Sequence, residues 1–150
     1  LAGPDGSIAL KLTPVTEVDK RPAYLSPFVI PGGLGCHKWR DRGLLQALAA
    51  HMPGTVPLLL DTDGQVLEAA HANVWLVEDQ AFITPRTDGR ILPGVTRAAL
   101  LASAPQARAE AFDLARMADA DAIFLTSSIR GSHPAALSGA GDRGLVSLTS

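Results

Sequence analysis

Cysteine is nearly missing from this sequence: Cys36 stands alone among 150 residues. A lone thiol cannot make an internal disulfide framework or a cysteine-built zinc site, and it suits a reducing, cytoplasmic setting. Long apolar runs are missing too, since no stretch reaches the roughly 18 residues that a membrane span needs. Neither sign of charge dominates. Thirteen Lys and Arg face fifteen Asp and Glu, for a formal net charge of -2, which argues against nucleic acid as the main partner. The start of the chain has neither the charged segment nor the apolar core of a signal peptide. It begins with Leu1 rather than Met, so a fragment, a processed product or the ordered part of something longer is expected. Repeats and low-complexity tracts are absent, as are the G-x-S-x-G elbow, the Walker loop and G-x-G-x-x-G. Gly32-Gly33-x-Gly35 is too short for the last of these and lacks its strand-to-helix context. His37, His51, His71 and His133 show no metal-ligand spacing.

What is present is a chain that is 47% apolar, long enough for one domain with a real core. Residues 8–12 read as a short strand. Residues 13–36 carry many turn formers and read as an irregular connector, with at most a strand near 28–30; a connector of that length often carries function. Leu44, Leu45, Leu48 and Ala49 recur at helical spacing, which predicts a helix over 41–51 stopped by Pro53-Gly54. Strands are expected over 56–60, 65–69, 73–77 and 81–84, joined by turns at Asp61-Thr62-Asp63-Gly64 and at Glu78-Asp79. A helix over 96–102, a strand over 108–112, a short helix over 114–118 and a strand over 122–126 follow. The tail from Ser138 is Gly-rich and expected to be partly mobile. Mixed strands and helices with antiparallel hairpins place the chain in the α/β or α+β class.

Four places could carry chemistry. Lys38 follows a glycine-rich loop and precedes a helix, with Arg40 and Arg42 close in sequence. A lysine whose pKa is lowered there can attack an aldehyde; the plain alternative is a solvated surface lysine. Glu68 ends a strand-like segment, where a carboxylate facing a pocket can hold a proton on a ring nitrogen, or can simply face solvent. In Leu92-Pro93-Gly94-Val95-Thr96-Arg97, a glycine before a helix start offers free N–H groups and a Thr hydroxyl to an anion; Thr96 could equally be an ordinary N-cap. Thr126-Ser127-Ser128 closes an apolar strand with hydroxyls suited to a phosphate or a polar substrate, or forms a small polar turn.

The order of these blocks says more than any one of them. Lys38-Trp39-Arg40-Asp41-Arg42, then Gly64-Gln65-Val66-Leu67-Glu68-Ala69-Ala70-His71-Ala72-Asn73-Val74-Trp75, then Ile83-Thr84-Pro85, Ile91 to Arg97 and Phe124 to Ser128 resemble the class IV aminotransferases. That family includes branched-chain and D-amino-acid aminotransferases and 4-amino-4-deoxychorismate lyases, and the resemblance covers about residues 30–137. It implies pyridoxal 5'-phosphate as cofactor. It implies that Lys38 bonds the cofactor as a Schiff base and shuttles protons, that Glu68 pairs with the pyridine nitrogen, and that Val95 and Thr96 form the phosphate cup. It also implies that Thr126 supplies a second phosphate-binding hydroxyl and that Asn73 supports the cofactor region.

The implied fold is the family's large C-terminal domain, a pseudo-barrel of mixed strands with surrounding helices. On that reading residues 1–12 are the remnant of the last strand of a small N-terminal domain, with Lys11 where an arginine is common. Residues 13–36 are then an interdomain connector and residues 37–150 the cofactor-binding domain. Lys-Trp-x-Asp-Arg, and Ile129-Arg130-Gly131 followed by Pro134-Ala135, resemble the lyase members, including those fused to a synthase. The implied reaction releases pyruvate from 4-amino-4-deoxychorismate and leaves 4-aminobenzoate for folate synthesis. The alternatives are an aminotransferase for D-amino or branched-chain amino acids and a non-catalytic domain packed on a synthase partner. A small-molecule substrate, a homodimer and no nucleic-acid or membrane partner are expected. Most of the small domain is absent, so this chain alone is not expected to make a closed site.

Overall fold

Short apolar runs divided by tight turns fold into hairpins, and the middle of the chain is built this way. The structure, a computed structural model, describes residues 21–139. The strand expected over 8–12, Lys11 and the tail beyond residue 139 lie outside the described residues. The elements are β1 (Ala23–Val29), α1 (Gly43–His51), β2 (Val56–Leu60), β3 (Val66–Ala69), β4 (Asn73–Glu78) and β5 (Ala81–Thr84). They continue with α2 (Val95–Ser103), β6 (Ala107–Ala109), α3 (Leu114–Asp119), β7 (Ala122–Ser127) and β8 (Gly131–Leu137). Asp79 and Gln80 both take positive φ between β4 and β5, the backbone that a two-residue hairpin turn demands. The expected hairpins and helices are therefore found, with their ends moved by a few residues.

All eight strands join one mixed sheet in the order β3-β2-β1-β8-β7-β4-β5-β6. It is curled into a half-barrel with helices packed on it, in agreement with the mixed α and β class read from the sequence. Alternate residues of β2 feed two cores. Leu58 and Leu60 join Leu25, Val74, Leu76, Ile83, Met117 and Leu125, a cluster that takes in α3 through Met117. Leu59 points the other way and joins Leu67, Ile91 and the α1 residues Leu45 and Leu48. Each such side chain fully buried stabilises the fold by about 1.5–3 kcal/mol. Leu44, counted with them in the sequence, is instead about half exposed.

Two strands differ from expectation. The irregular connector read over 13–36 contains β1, which runs parallel to both β2 and β8 in the middle of the sheet. β8, unexpected altogether, pairs with β7 as well as with β1. Both strands hold a proline, Pro27 in β1 and Pro134 in β8, and proline normally excludes a central strand because it cannot donate to the ladder. Here the β1–β8 pairing is short, running only from Ala23↔Ala135 to Leu25↔Leu137. The Ser138 N–H donates to Leu25 O and the Ile30 N–H donates to Leu60 O. By alternation, the Pro27 and Pro134 nitrogens face the β1–β8 seam just outside its paired register, where no N–H is needed.

Candidate active site

The loop from β1 to α1, the connection from β3 to β4, the start of α2 and the ends of β7 and β8 surround a cavity of about 920 Å³. All six residues selected from the sequence, Lys38, Glu68, Asn73, Val95, Thr96 and Thr126, line it.

The loop that carries Lys38 is fixed by glycine. Gly33 has φ +67°, and a Cβ there would lie 2.2 Å from the Arg90 carbonyl oxygen. The Gly35 N–H donates to that same oxygen at 3.2 Å. Arg90 in turn donates to Asp61, Asp88 and Gln65, and Asp61 accepts the Gly32 N–H at 3.0 Å. The Arg90 guanidinium, then the Gly32 N–H, hold the Asp61 carboxyl well below the usual carboxylate range. One ion-paired knot thus ties the loop to the β2–β3 turn and to the approach to α2. Lys38 itself is exposed on the rim of the cavity.

Glu68 sits on β3, opposite Leu59, and is 7% exposed. Its Oε2 accepts the Leu92 N–H at 3.3 Å. Burial raises its pKa to about 7, against the opposing pull of the Leu92 N–H and the Arg42 charge. A carboxyl poised there can share a proton with a basic ring nitrogen near neutral pH.

The start of α2 is shaped for an anion. Its N-cap is Gly94, with no side-chain cap hydrogen bond, so Thr96 lies in the first turn and is not the cap. The first N–H groups of a helix have no partner inside it, and here those of Val95 and Thr96 open beside the cavity. Asn73 positions this start: its Nδ2 donates to Leu92 O at 2.9 Å, and a Cβ on Gly94 would lie 2.1 Å from its Oδ1. Thr126, 2% exposed, accepts the Trp75 indole N–H on its Oγ1 at 2.9 Å. Indole only donates, so the Thr126 hydroxyl keeps its own proton to donate elsewhere. Free backbone N–H groups and that hydroxyl suit a phosphate, and the Glu68 carboxyl suits a protonatable ring.

Sequence reading did not select Arg42, His71, Arg130 or His133, all of which also line the cavity. Arg42 donates to Ala70 O at 3.1 Å, and its Nη2 lies 2.8 Å from His71 Nδ1. His133 is 6% exposed and its Nδ1 is buried without a hydrogen-bond partner. Arg42, His71 and Arg130 stood inside blocks already singled out; nothing in the local pattern marks His133. Arg97 is also buried, donating to Pro85 O at 2.7 Å, and burial pulls its pKa down.

The family model for amino-transferase class IV matches residues 41–137. No curated protein sequence matches the chain. Among solved structures, a protein of Legionella pneumophila provisionally assigned as a 4-amino-4-deoxychorismate lyase shares 28% identity at a TM-score of 0.74, over 83% of this chain and 51% of that one. An amino-acid aminotransferase candidate from Mesorhizobium loti shares 26% at 0.70, over 83% of this chain and 64% of that one. A hypothetical aminotransferase from Mycobacterium tuberculosis, in its PLP-bound form, shares 24% at 0.70 over 85% and 50%, a likeness of fold. The chain thus spans about half the length of the first of these relatives.

Proposed function

The chain belongs to the class IV aminotransferase family, and from that premise we propose that its cavity holds pyridoxal 5'-phosphate and serves as a 4-amino-4-deoxychorismate lyase site. The observation that carries the reading is the meeting in one cavity of a lysine, a carboxyl raised to about 7 and a set of unpaired donors at a helix start. When bound, pyridoxal phosphate supplies an electron sink for a substrate carbanion. Glu68 would keep the ring nitrogen protonated. The N–H groups of Val95 and Thr96 and the Thr126 hydroxyl would bind the phosphate, with Asn73 holding the α2 start in place. Lys38 would bond the cofactor and, once freed by the substrate amine, move the proton as general base and acid. Fixing the cofactor at both ends leaves Lys38 one geometry in which to act.

Lyase chemistry is favoured over amino transfer by Ile129-Arg130-Gly131 with Pro134-Ala135, and by the Legionella relative. Pyruvate and 4-aminobenzoate would be the products. The rest of the pocket would come from chain beyond the described domain and from the second subunit of a cytoplasmic homodimer. Four exposed apolar side chains on the rim, Trp39, Leu44, Val95 and Ile129, are consistent with such a cover.

The test is the visible absorbance band of lysine-bound cofactor after pyridoxal phosphate is added. The band is expected in the wild type and absent in Lys38→Ala. A wild type without the band would overturn the cofactor reading. Release of 4-aminobenzoate supports the lyase; transfer of the amine to a 2-oxo acid without that product would assign an aminotransferase instead.

A further inference from the structure

The lysine, Glu68 and the phosphate donors use only part of the cavity lining. Arg42, His71, Arg130 and His133 remain, beside the exposed His37 and an Asp41 whose Oδ1 accepts the Gly43 N–H, and none of the four forms an ion pair among the described residues. Their chemistry converges. A guanidinium only donates, so His71 Nδ1 accepts from Arg42 and the ring's proton sits on Nε2. His133 reaches the same state by another route. Its Nδ1 is buried and unpartnered, and an orphaned acceptor is tolerated better than an orphaned N–H. The proton therefore belongs on Nε2, the nitrogen left to meet the cavity. Burial, then the charges of Arg42, Arg130 and Lys38, keep His71 neutral; burial, then Arg130, do the same for His133.

We propose that Arg42, His71, Arg130 and His133 form a second anion site in this cavity, separate from the phosphate cup, that binds a carboxylate of the substrate. Planar guanidiniums match a planar carboxylate through paired N–H donors, and two neutral imidazole N–H groups add further donors without needing a counter-charge. A carboxylate placed there would accept from the Nε2–H groups of His71 and His133. On the same rim Trp39 is 62% exposed and Ile129 is 67% exposed, which gives the bound molecule an apolar surface. The ligand class is an amine that carries a carboxylate on an apolar body. Calling this ligand the substrate rests on the cofactor reading above; the anion site does not need it.

The test titrates isophthalate, a rigid aromatic dicarboxylate, into the 150-residue chain labelled with ¹⁵N-histidine, with and without pyridoxal phosphate. Isophthalamide, the same shape without charge, is the control ligand. Isophthalate should move the imidazole signals of His71 and His133 and leave that of His51, outside the cavity, in place, and isophthalamide should move none. Arg130→Ala, a change at an exposed side chain, should weaken isophthalate by about tenfold or more, the scale of one charge-assisted hydrogen bond. Arg86→Ala, outside the cavity, should not weaken it. Equal binding of the two ligands, or an Arg130→Ala variant that binds as the wild type does, would overturn the proposal. Isophthalate binding without a cofactor band would uphold the anion site and sink the cofactor reading; a cofactor band without isophthalate binding would do the reverse.

Discussion

At Glu68 burial lifts the carboxyl to about 7, while its ordinary value is 4.5. Between those values the folded chain binds a proton that the unfolded chain has released, so stability falls as pH rises through that window. Below 4.5 both states are protonated and the effect is gone. Glu68→Gln keeps an acceptor for the Leu92 N–H but carries no charge. It should raise the stability of the cofactor-free chain at pH 8 by up to about 3 kcal/mol, with no gain at pH 4. Denaturant melts at the two pH values would show it, and an equal gain at both would mean that burial of charge is not the cause. On the proposed reading the same substitution should weaken the cofactor's hold, and the residue would then exchange stability for chemistry. The sequence exposed this residue because its neighbours form an ordered block. It hid His133, because what sets His133 apart is a missing hydrogen-bond partner, a property of the surrounding packing and not of adjacent residues.

Among the elements, the Lys38 loop shows how closely backbone position is fixed. Gly32 and Gly33 have similar positive φ, but a Cβ on Gly32 would meet nothing within 4 Å, whereas one on Gly33 would collide with the Arg90 carbonyl. Gly32→Ala should therefore cost about 1–2 kcal/mol, from backbone strain alone. Gly33→Ala should cost about 2–4 kcal/mol, since overpacking adds to the strain. Equal losses in thermal or denaturant unfolding would contradict the collision. The β2–β3 and β4–β5 hairpins were legible in the sequence because their turns have a local chemistry, Asp61-Thr62-Asp63-Gly64 in one case and a short polar pair in the other. β1 and β8 were not. Their prolines read as strand breakers, and only the register between strands far apart in the chain leaves Pro27 and Pro134 where no N–H is missed. A local pattern cannot report where a distant strand stops.

For the molecule as a whole, β8 is the piece that joins β1 to β7. A chain truncated after Arg130 would keep β7 and β1 but lose the strand between them, leaving two unpaired edges in what had been the middle of the sheet. Such edges template association. The truncated chain should aggregate at concentrations where the full chain stays dispersed, as light scattering would reveal; a dispersed, cooperatively folding truncation would show that β8 is dispensable. The seam also has a place in time. The Ser138 and Ser26 hydroxyls that meet across it are 112 residues apart in sequence, and contacts of such long range close late. On the ribosome, β1 emerges long before the strand that fills the gap beside it. The cavity takes His133 from that late strand and Lys38 from an early loop, so its lining stays incomplete until β8 has emerged, and any molecule that needs both residues must arrive after that.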